Sequence, residues 1–265
     1  MADRSRIRVD WRASVSLLGD VLGGLAVPLL IPVVVALYYG ESLAPFLVTI
    51  AVTLVLGAVC RQLAGADGTL GPREAFLAVS LVWLLVACVG AIPFVVAGVG
   101  TVAHPVNALF ESMSGLTTTG ATVLVDFGVH SRSVLMWRQV IQWLGGLGIL
   151  VLATAVLSEL GVGGAQLMET ESQTRDVDKL TPKISETAQL IWGLYLGLTL
   201  LAVVVYFLLG LAFDPQMDLY NAVAHAFTSV ATAGFSPEPL SVGAFHPVIQ
   251  WAVVPFMITG STSFV

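Results

Sequence analysis

Long apolar stretches alternate with shorter polar ones along the whole chain. A helix needs roughly 20 apolar residues to cross the hydrocarbon core of a membrane, and most of these stretches approach that length. The predicted spans cover about 13–39, 43–60, 75–99, 134–157 and 187–213, and a sixth begins near Pro247 and continues to Val265. Only Asp20 interrupts the first span. The pattern predicts an all-α integral membrane protein with two leading transmembrane helices.

Two further stretches, 101–132 and 214–245, are mixed in polarity and contain too few apolar residues to cross. A helix of about 13 residues rises only about 20 Å, so it enters a membrane halfway and returns. We predict such half-helices over Pro105–Leu116 and Leu219–Val230. Irregular backbone at that depth requires surrounding protein or a water-filled cavity. The backbone that follows each half-helix is therefore expected to be enclosed by protein or to line a cavity.

A Thr/Gly segment follows each half-helix: residues 117–121 (TTTGA) after the first and 231–235 (ATAGF) after the second. Thr and Gly disfavour helix, and Gly permits backbone angles that let successive carbonyls point the same way. Such carbonyls replace the hydration shell of a cation, and the partial negative charge at a helix C-terminus favours the ion there. The predicted ion-binding carbonyls belong to Thr118, Thr119, Gly120, Thr232, Ala233 and Gly234.

The two stretches are copies of one unit. A shift of 114 residues superposes Gly120 on Gly234 and Thr118 on Thr232. The same shift, without gaps, also pairs Asn107 with Asn221, Ala108 with Ala222, Val134 with Val248, Trp137 with Trp251 and Gly146 with Gly260. The identities fall in the half-helix, the Thr/Gly segment and the following span. We therefore predict tandem span–half-helix–filter–span repeats of the kind found in potassium channels.

The repeat divides the chain into four parts. We predict a cytoplasmic N-terminus with the two leading helices (1–73), a first repeat (74–160), a cytoplasmic linker (161–186) and a second repeat cut off in its last helix (187–265). If every span crosses once, nine of the 11 basic residues lie on the side of the N-terminus. Basic residues accumulate in cytoplasmic loops. We therefore expect a multi-pass plasma-membrane protein whose N-terminus is cytoplasmic and whose half-helices enter from outside.

Composition excludes several classes of protein. The 265 residues are 57% hydrophobic and only 11% charged, whereas soluble domains carry about 25% charged residues. A soluble globular fold and a disordered chain are both excluded. The basic residues are scattered along the chain and form no cluster of the kind that binds nucleic acid. Neither Gly-x-Ser-x-Gly nor His-Glu-x-x-His occurs. We predict no enzyme activity, no catalytic residues and no transition-metal site.

Two charged residues fall inside or beside predicted membrane segments. Glu111 lies in the first half-helix and Arg138 in the span after it, and charges in such places are by default functional or paired. They are candidate filter-supporting charges, with Arg138 neutralising Glu111 or Asp126. The alternative is that Arg138 snorkels to the outer headgroups.

Other features have two interpretations each. The glycines of residues 144–148 (LGGLG) form either a small-residue surface for close helix packing or a hinge in a pore-lining helix. His225, in the second half-helix, is expected to make a satisfied polar contact rather than bind a metal. The outward acidic residues either raise the local cation concentration or only solvate their loops; they are Asp126, Asp214, Asp218 and Glu238.

Several of these segments resemble one known family. Residues 110–121 (FESMSGLTTTGA) look like the first filter of the Trk/Ktr/HKT superfamily of potassium uptake proteins. Residues 137–148 (WRQVIQWLGGLG) look like the following helix in its bacterial and archaeal Trk branch. Residues 221–236 and 260–264 (GSTSF) resemble the second filter and the helix after it. The resemblance covers essentially the whole chain and is that of a Trk-type membrane subunit.

The resemblance implies a function and a set of partners. Gly120 and Gly234 would be the filter glycines of a potassium uptake system, and Gly rather than Ser at the first favours potassium over sodium. The family's pore has four such repeats, so the chain corresponds to the N-terminal half. The family also implies a homo-oligomer, a cytosolic nucleotide-binding regulatory subunit that contacts some of Glu169 to Lys183, and no cofactor besides the transported K⁺.

Two other functions stay open at this point. A secondary ion-coupled transporter also contains broken helices, but its repeats are often inverted, whereas both half-helices here are expected to enter from outside. A non-conducting structural or regulatory membrane subunit is the second alternative, because half a pore lacks the other filter segments. The two Thr/Gly segments favour potassium transport through a carbonyl-lined selectivity filter.

Overall fold

The computed structural model describes residues 11–64, 72–149 and 180–262. The first ten residues, most of the predicted linker 161–186 and the end of the fourth predicted span lie outside these ranges. All regular elements within the described ranges are helical, which confirms the all-α class.

The described helices have the following bounds in chain order: α1 (Trp11–Leu25), α2 (Leu30–Tyr39), α3 (Ala44–Ala64), α4 (Pro72–Ala97), α5 (Pro105–Leu116), α6 (132–149), α7 (Leu180–Phe213), α8 (Leu219–Val230) and α9 (Pro247–Ser261). Short 3₁₀ turns precede α5 and α9, at Thr101–Ala103 and Ser241–Ala244. In the part of the chain that the structure describes, four helical segments are long and apolar enough to cross a membrane: Trp11–Tyr39, Ala44–Ala64, Phe76–Ala97 and Gln189–Phe213.

The first predicted span consists of two helices rather than one. α1 ends at Leu25 and α2 begins at Leu30, with turns between them. Pro28 lies in this interval, where its missing N–H and its ring disfavour a continuous helix. Asp20 lies within α1, and its carboxylate is 2.8 Å from the Nε of Arg61 on α3. Together the two helices are long and apolar enough to cross a membrane, as predicted, but they are joined by a turn rather than forming the one continuous helix that the sequence predicts.

The two half-helices have the predicted bounds. α5 covers Pro105–Leu116 and α8 covers Leu219–Val230, and each has 12 residues, too few to cross a membrane. Asp218 caps α8, because its side chain accepts a hydrogen bond from the Asn221 N–H at 2.8 Å. Such a cap satisfies one of the free N–H groups at a helix start.

Two helix ends differ from the prediction. α7 begins at Leu180 rather than near Thr187. α9 ends at Ser261 and is followed by Thr262 in an extended conformation, whereas the sequence predicts a helix that continues to Val265. The Gly-Ser-Thr sequence at this point has a lower helix propensity than the apolar residues before it, which explains an end that apolar length alone does not predict.

The chain folds as two compact units. Leaving aside the residues outside the described ranges, the first contains Met1–Ser114 and Thr122–Arg138, and the second contains Gly115–Ala121 and Gln139–Val265. Both Thr/Gly segments therefore belong to the second unit. The four-part division that follows from the sequence repeat stays a prediction.

Close helix contacts define the first unit. α1 approaches α3 so closely that a Cβ on Gly19 would lie 2.9 Å from the carbonyl oxygen of Gly57. Small residues at a crossing permit such an approach in membrane helices. The Trp137 indole N–H donates to the carbonyl of Gly90 at 2.8 Å. This hydrogen bond fixes the start of α6 against α4.

The second unit packs α7, α8 and α9 around an apolar core. Tyr206 is fully buried there, with its ring edge-on to Phe256 at a centroid distance of 5.3 Å. Its hydroxyl lies 3.0 Å from the Oγ of Ser229, the kind of partner that a buried tyrosine needs. Most of α8 is buried, so the polar groups at its C-terminal end are surrounded by protein.

Candidate functional site

Each half-helix ends in the same sharp change of backbone direction. Thr118 follows α5 with a φ of 56°, and Thr232 follows α8 with a φ of 50°. L-residues with a side chain rarely adopt this left-handed region, and for β-branched ones it is exceptional. The N–H of Thr118 bonds to the carbonyl of Gly115 at 2.9 Å, and that of Thr232 to Ser229 at 3.1 Å. Because both pairs are equivalent under the 114-residue shift, the two repeats leave the half-helix by one shared turn.

The two predicted filter glycines face each other within the second unit. Gly120 has a φ of 74°, and a Cβ placed on it would lie 2.8 Å from both N and Cα of Gly234. A Cβ placed on Gly234 would lie 3.4 Å from the Cα of Gly120. Backbone conformation and close approach therefore both require glycine at position 120. The structure brings together the two residues that the sequence repeat indicates.

Glu111 and Arg138 form a buried ion pair in the first unit. The Nε of Arg138 lies 2.8 Å from Oε1 of Glu111, and the two side chains are 1% and 0% exposed. The same carboxylate accepts hydrogen bonds from the Thr122 hydroxyl at 2.8 Å and from the Val123 N–H at 3.0 Å. Arg138 therefore does not snorkel to the headgroups. With Glu111 it holds the backbone just beyond Gly120.

His225 occupies in the second repeat the position that Glu111 occupies in the first. Its Nδ1 donates to the Asn221 carbonyl at 2.8 Å, because a carbonyl oxygen only accepts. In the neutral ring, Nε2 then accepts from the Ser236 hydroxyl at 3.0 Å. The side chain is fully buried. His225 thus makes a satisfied polar contact through both ring nitrogens.

The hydroxyl groups that Glu111 and His225 contact also occupy equivalent positions of the two repeats. Thr122 Oγ1 accepts from the Leu124 N–H at 3.0 Å, and Ser236 Oγ accepts from the Glu238 N–H at 2.9 Å. Each repeat thus has what we call a filter brace: a half-helix side chain bonded to a hydroxyl two residues beyond the predicted filter glycine. The brace contains a charged pair in the first repeat and a neutral histidine in the second. Sequence reasoning named Glu111 and Arg138 but missed the hydroxyl contacts, although the 114-residue shift aligns Glu111 with His225 and Thr122 with Ser236.

Helix glycines pack against the ends of the half-helices. A Cβ on Gly145 would overlap the carbonyl oxygen of Leu116, the last residue of α5. In the second repeat, a Cβ on Gly260 would overlap the carbonyl of Val230, the last residue of α8. A Cβ on Gly146 would lie 2.8 Å from the Tyr195 hydroxyl oxygen and 3.0 Å from the Cα of Ala231. These contacts support the close-packing interpretation of the LGGLG run.

The outward acidic residues have local structural roles. Asp126, Asp214 and Asp218 each accept a backbone N–H at 2.8–2.9 Å, and Glu238 accepts from the Asn221 side-chain amide at 3.3 Å. These bonds order their loops, which is a structural role; because each carboxylate keeps its negative charge, the role in attracting cations stays a prediction. Among the residues described, no group of three His, Cys, Asp or Glu side chains is placed to hold a metal ion.

Sequence comparison identifies related proteins over nearly the full chain. The family described as "TrkH: Cation transport protein" matches residues 43–265. The chain is 36% identical, over 97% of its length, to the Trk system potassium uptake protein TrkH of Vibrio parahaemolyticus, and likewise 36% identical over 97% to that of Escherichia coli K12. It covers 52% of each. The chain therefore spans about half the length of the curated relatives it matches.

A solved structure has a similar fold. The crystal structure of the potassium transporter TrkH from Vibrio parahaemolyticus matches with a TM-score of 0.79 and 35% sequence identity. The match covers 95% of this chain and 50% of that one. The fold described above is thus similar to that of half of the transporter chain.

Proposed function

The chain belongs to the TrkH family of cation transport proteins, and we propose that it supplies two of the filter segments through which potassium ions cross the plasma membrane. The observation that supports this most directly is the meeting of Gly120 and Gly234, each of which follows a half-helix and a left-handed threonine. The names of its relatives as potassium uptake proteins support potassium as the transported ion.

In this proposal backbone oxygens bind the ion. Carbonyls replace its hydration shell, and the C-terminal ends of α5 and α8 contribute partial negative charge. No charged side chain touches the ion, so binding stays weak enough for the ion to leave. The coordinating carbonyls are those of Thr118, Thr119, Gly120, Thr232, Ala233 and Gly234.

Glu111 and Arg138 have a supporting role in the same proposal. Their pair is electrically balanced, so it adds no net charge that would trap a cation. Its hydrogen bonds hold Thr122, which lies two residues after Gly120 in the chain. The brace therefore fixes the backbone that follows the first Thr/Gly segment without contacting the ion.

A fourfold pore requires two filter segments beyond those of this chain. The coverage of about half of each relative supports the assignment of the first two repeats to it. We further propose a cytoplasmic N-terminus, assembly as a homo-oligomer and a cytosolic nucleotide-binding regulatory subunit. The description of the relatives as parts of a Trk system supports additional components in general.

Potassium uptake tests the proposal. In an assembly that contains four filter segments, we expect the protein to restore growth at low potassium in cells that lack potassium uptake. Gly120→Ser should lower the ratio of K⁺ to Na⁺ uptake, because a side chain at a φ of 74° and 2.8 Å from Gly234 displaces the segment. Gly243→Ser is the control, since a Cβ there has nothing within 4 Å. An unchanged uptake ratio in Gly120→Ser would contradict the filter assignment.

A further inference from the structure

Gln142, a fully buried residue of α6, is bonded to the backbone of the second Thr/Gly segment. Its Oε1 accepts hydrogen bonds from the N–H groups of Gly234 at 3.1 Å and Phe235 at 3.2 Å. It also accepts from the Thr228 hydroxyl at 3.1 Å. All of these residues belong to the second unit. The contact to Gly234 crosses 92 positions of sequence and links the last span of one repeat to the filter of the next.

The donors determine which end of the amide faces the segment. A backbone N–H only donates, so the oxygen of Gln142 rather than its NH₂ group must face Gly234 and Phe235. The Nε2 of Gln142 is left without a hydrogen-bond partner among the described residues. A buried polar group without a partner destabilises the fold. This orientation therefore persists because three hydrogen bonds to Oε1 outweigh that cost.

The neighbouring residue fixes the register of α6. Trp143 stacks on Phe227 of α8 at a centroid distance of 5.0 Å, and its indole N–H donates to the hydroxyl of Thr199 on α7 at 3.1 Å. Its carbonyl accepts from the Tyr195 hydroxyl at 2.9 Å. Contacts of Trp143 to both α7 and α8 therefore hold this part of α6 in place independently of any ion.

The hydrogen bonds to Gln142 set the direction of two carbonyls. In a planar trans peptide the C=O and the N–H point in opposite directions. The Gly234 N–H shares its peptide unit with the carbonyl of Ala233, and the Phe235 N–H shares its unit with the carbonyl of Gly234. Because both N–H groups are aimed at Gln142, both carbonyls point away from it. These carbonyls are two of the ion-binding oxygens in the proposed function.

We propose that Gln142 is a positioning residue for the second filter segment. It holds the Ala233 and Gly234 carbonyls in one direction and thereby sets discrimination between potassium and sodium, an inference that rests on the proposed function. The 114-residue shift aligns Gln142 with Phe256, which has no side-chain amide. The second repeat therefore has no such hydrogen-bond acceptor at the equivalent position.

Hydrogen exchange tests the contact without requiring transport. In the purified protein in lipid nanodiscs, Gln142→Met should accelerate exchange of the Gly234 and Phe235 amides about fivefold, the change that corresponds to a hydrogen bond worth about 1 kcal/mol. Gln142→Asn, one methylene shorter, should accelerate it as well, whereas Gln142→Glu keeps an acceptor at the same reach and should not. Gln139→Met is the matched control, because Gln139 is equally buried on α6 and its amide has no hydrogen-bond partner within the described ranges.

Ion selectivity tests the consequence. In cells whose potassium uptake depends on the protein, Gln142→Met should lower the ratio of K⁺ to Na⁺ uptake, and Gln139→Met should leave it unchanged. Exchange that stays slow in Gln142→Met overturns the proposal, and so does faster exchange with an unchanged uptake ratio. If the wild-type protein transports no potassium, the proposed function fails, and exchange alone decides whether Gln142 holds the segment.

Discussion

At the scale of single residues, the pair of Glu111 and Arg138 is stable because its hydrogen bonding is complete. Taking two charges out of water costs several kcal/mol per ion, and their attraction offsets this only when the remaining lone pairs are also satisfied. Here the carboxylate binds Arg138, the Thr122 hydroxyl and the Val123 N–H. Loss of either charge leaves the other buried without its counter-charge.

We predict that Glu111→Gln lowers the free energy of unfolding by about 3–5 kcal/mol, because the buried Arg138 loses its carboxylate. The control is Asp20→Asn. Asp20 and Arg61 are both more than half exposed, and such pairs contribute only about 0–1 kcal/mol. Denaturant unfolding of the purified protein measures both changes. Equal losses in the two variants would contradict the prediction.

His130, in the loop before α6, gives a prediction about pH. Burial lowers its pKa below the ordinary 6.5, the charge of Arg138 lowers it further, and Asp126 and Glu111 oppose the shift. Because the pKa is lower in the folded protein, the unfolded chain takes up this proton more readily as the pH falls below about 6.5. Stability contributed by this residue is complete above that pH and is lost below it.

We accordingly expect the Tm to fall between about pH 7 and about pH 5, and His130→Gln to reduce that fall. Thermal unfolding of both proteins across this range is the measurement. A fall of the same size in the variant would show that other groups are responsible.

At the scale of helices, backbone contacts depend on single glycines. Gly145→Ala should destabilise the protein by about 1–3 kcal/mol, because its Cβ overlaps the Leu116 carbonyl and forces the helices apart. Gly197→Ala on α7 is the comparison, since a Cβ there meets nothing within 4 Å. Alanine favours helix by about 1 kcal/mol over glycine, so this variant should be neutral or more stable. Thermal unfolding of the two variants decides, and equal Tm values would refute the packing role.

The sequence predicts α5 and α8 with their observed bounds because local signals mark both helix ends. Pro105 and Asp218 stand at their starts, and Thr/Gly segments follow their last residues. The break between α1 and α2 is different. The length of an apolar run predicts whether a segment can cross a membrane. It does not distinguish one continuous helix from two helices joined by an apolar turn, and here such a turn contains Pro28.

At the scale of the whole molecule, the sequence repeat predicts which backbone segments meet but not which side chains hold them. Gly120 and Gly234 are predictable because a repeat puts equivalent residues in equivalent places. The role of Gln142 is not predictable, because its partner Gly234 lies 92 positions away. The sequence around Gln142 also does not set it apart from Gln139 on the same helix. Glu111 is predictable for a third reason, namely that charge is rare in membrane segments.

The two repeats keep one backbone geometry while changing the chemistry that supports it. The first brace uses the carboxylate of Glu111 with Arg138, and the second uses neutral His225. The second segment is additionally held by Gln142. Both copies keep the left-handed threonine after the half-helix and a hydroxyl group two residues after the predicted filter glycine. The two repeats therefore share the backbone geometry of this segment although different side chains support it.

The left-handed threonines that end both half-helices have a mechanical consequence. In this region a residue with a side chain lies about 1–2 kcal/mol above its preferred conformation. Thr118 and Thr232 are therefore strained, and the contacts around them keep them in this conformation. Glycine would remove the strain but would let the backbone move freely between left- and right-handed conformations. With threonine, a segment whose contacts loosen relaxes towards the right-handed side alone, and both segments relax in the same sense.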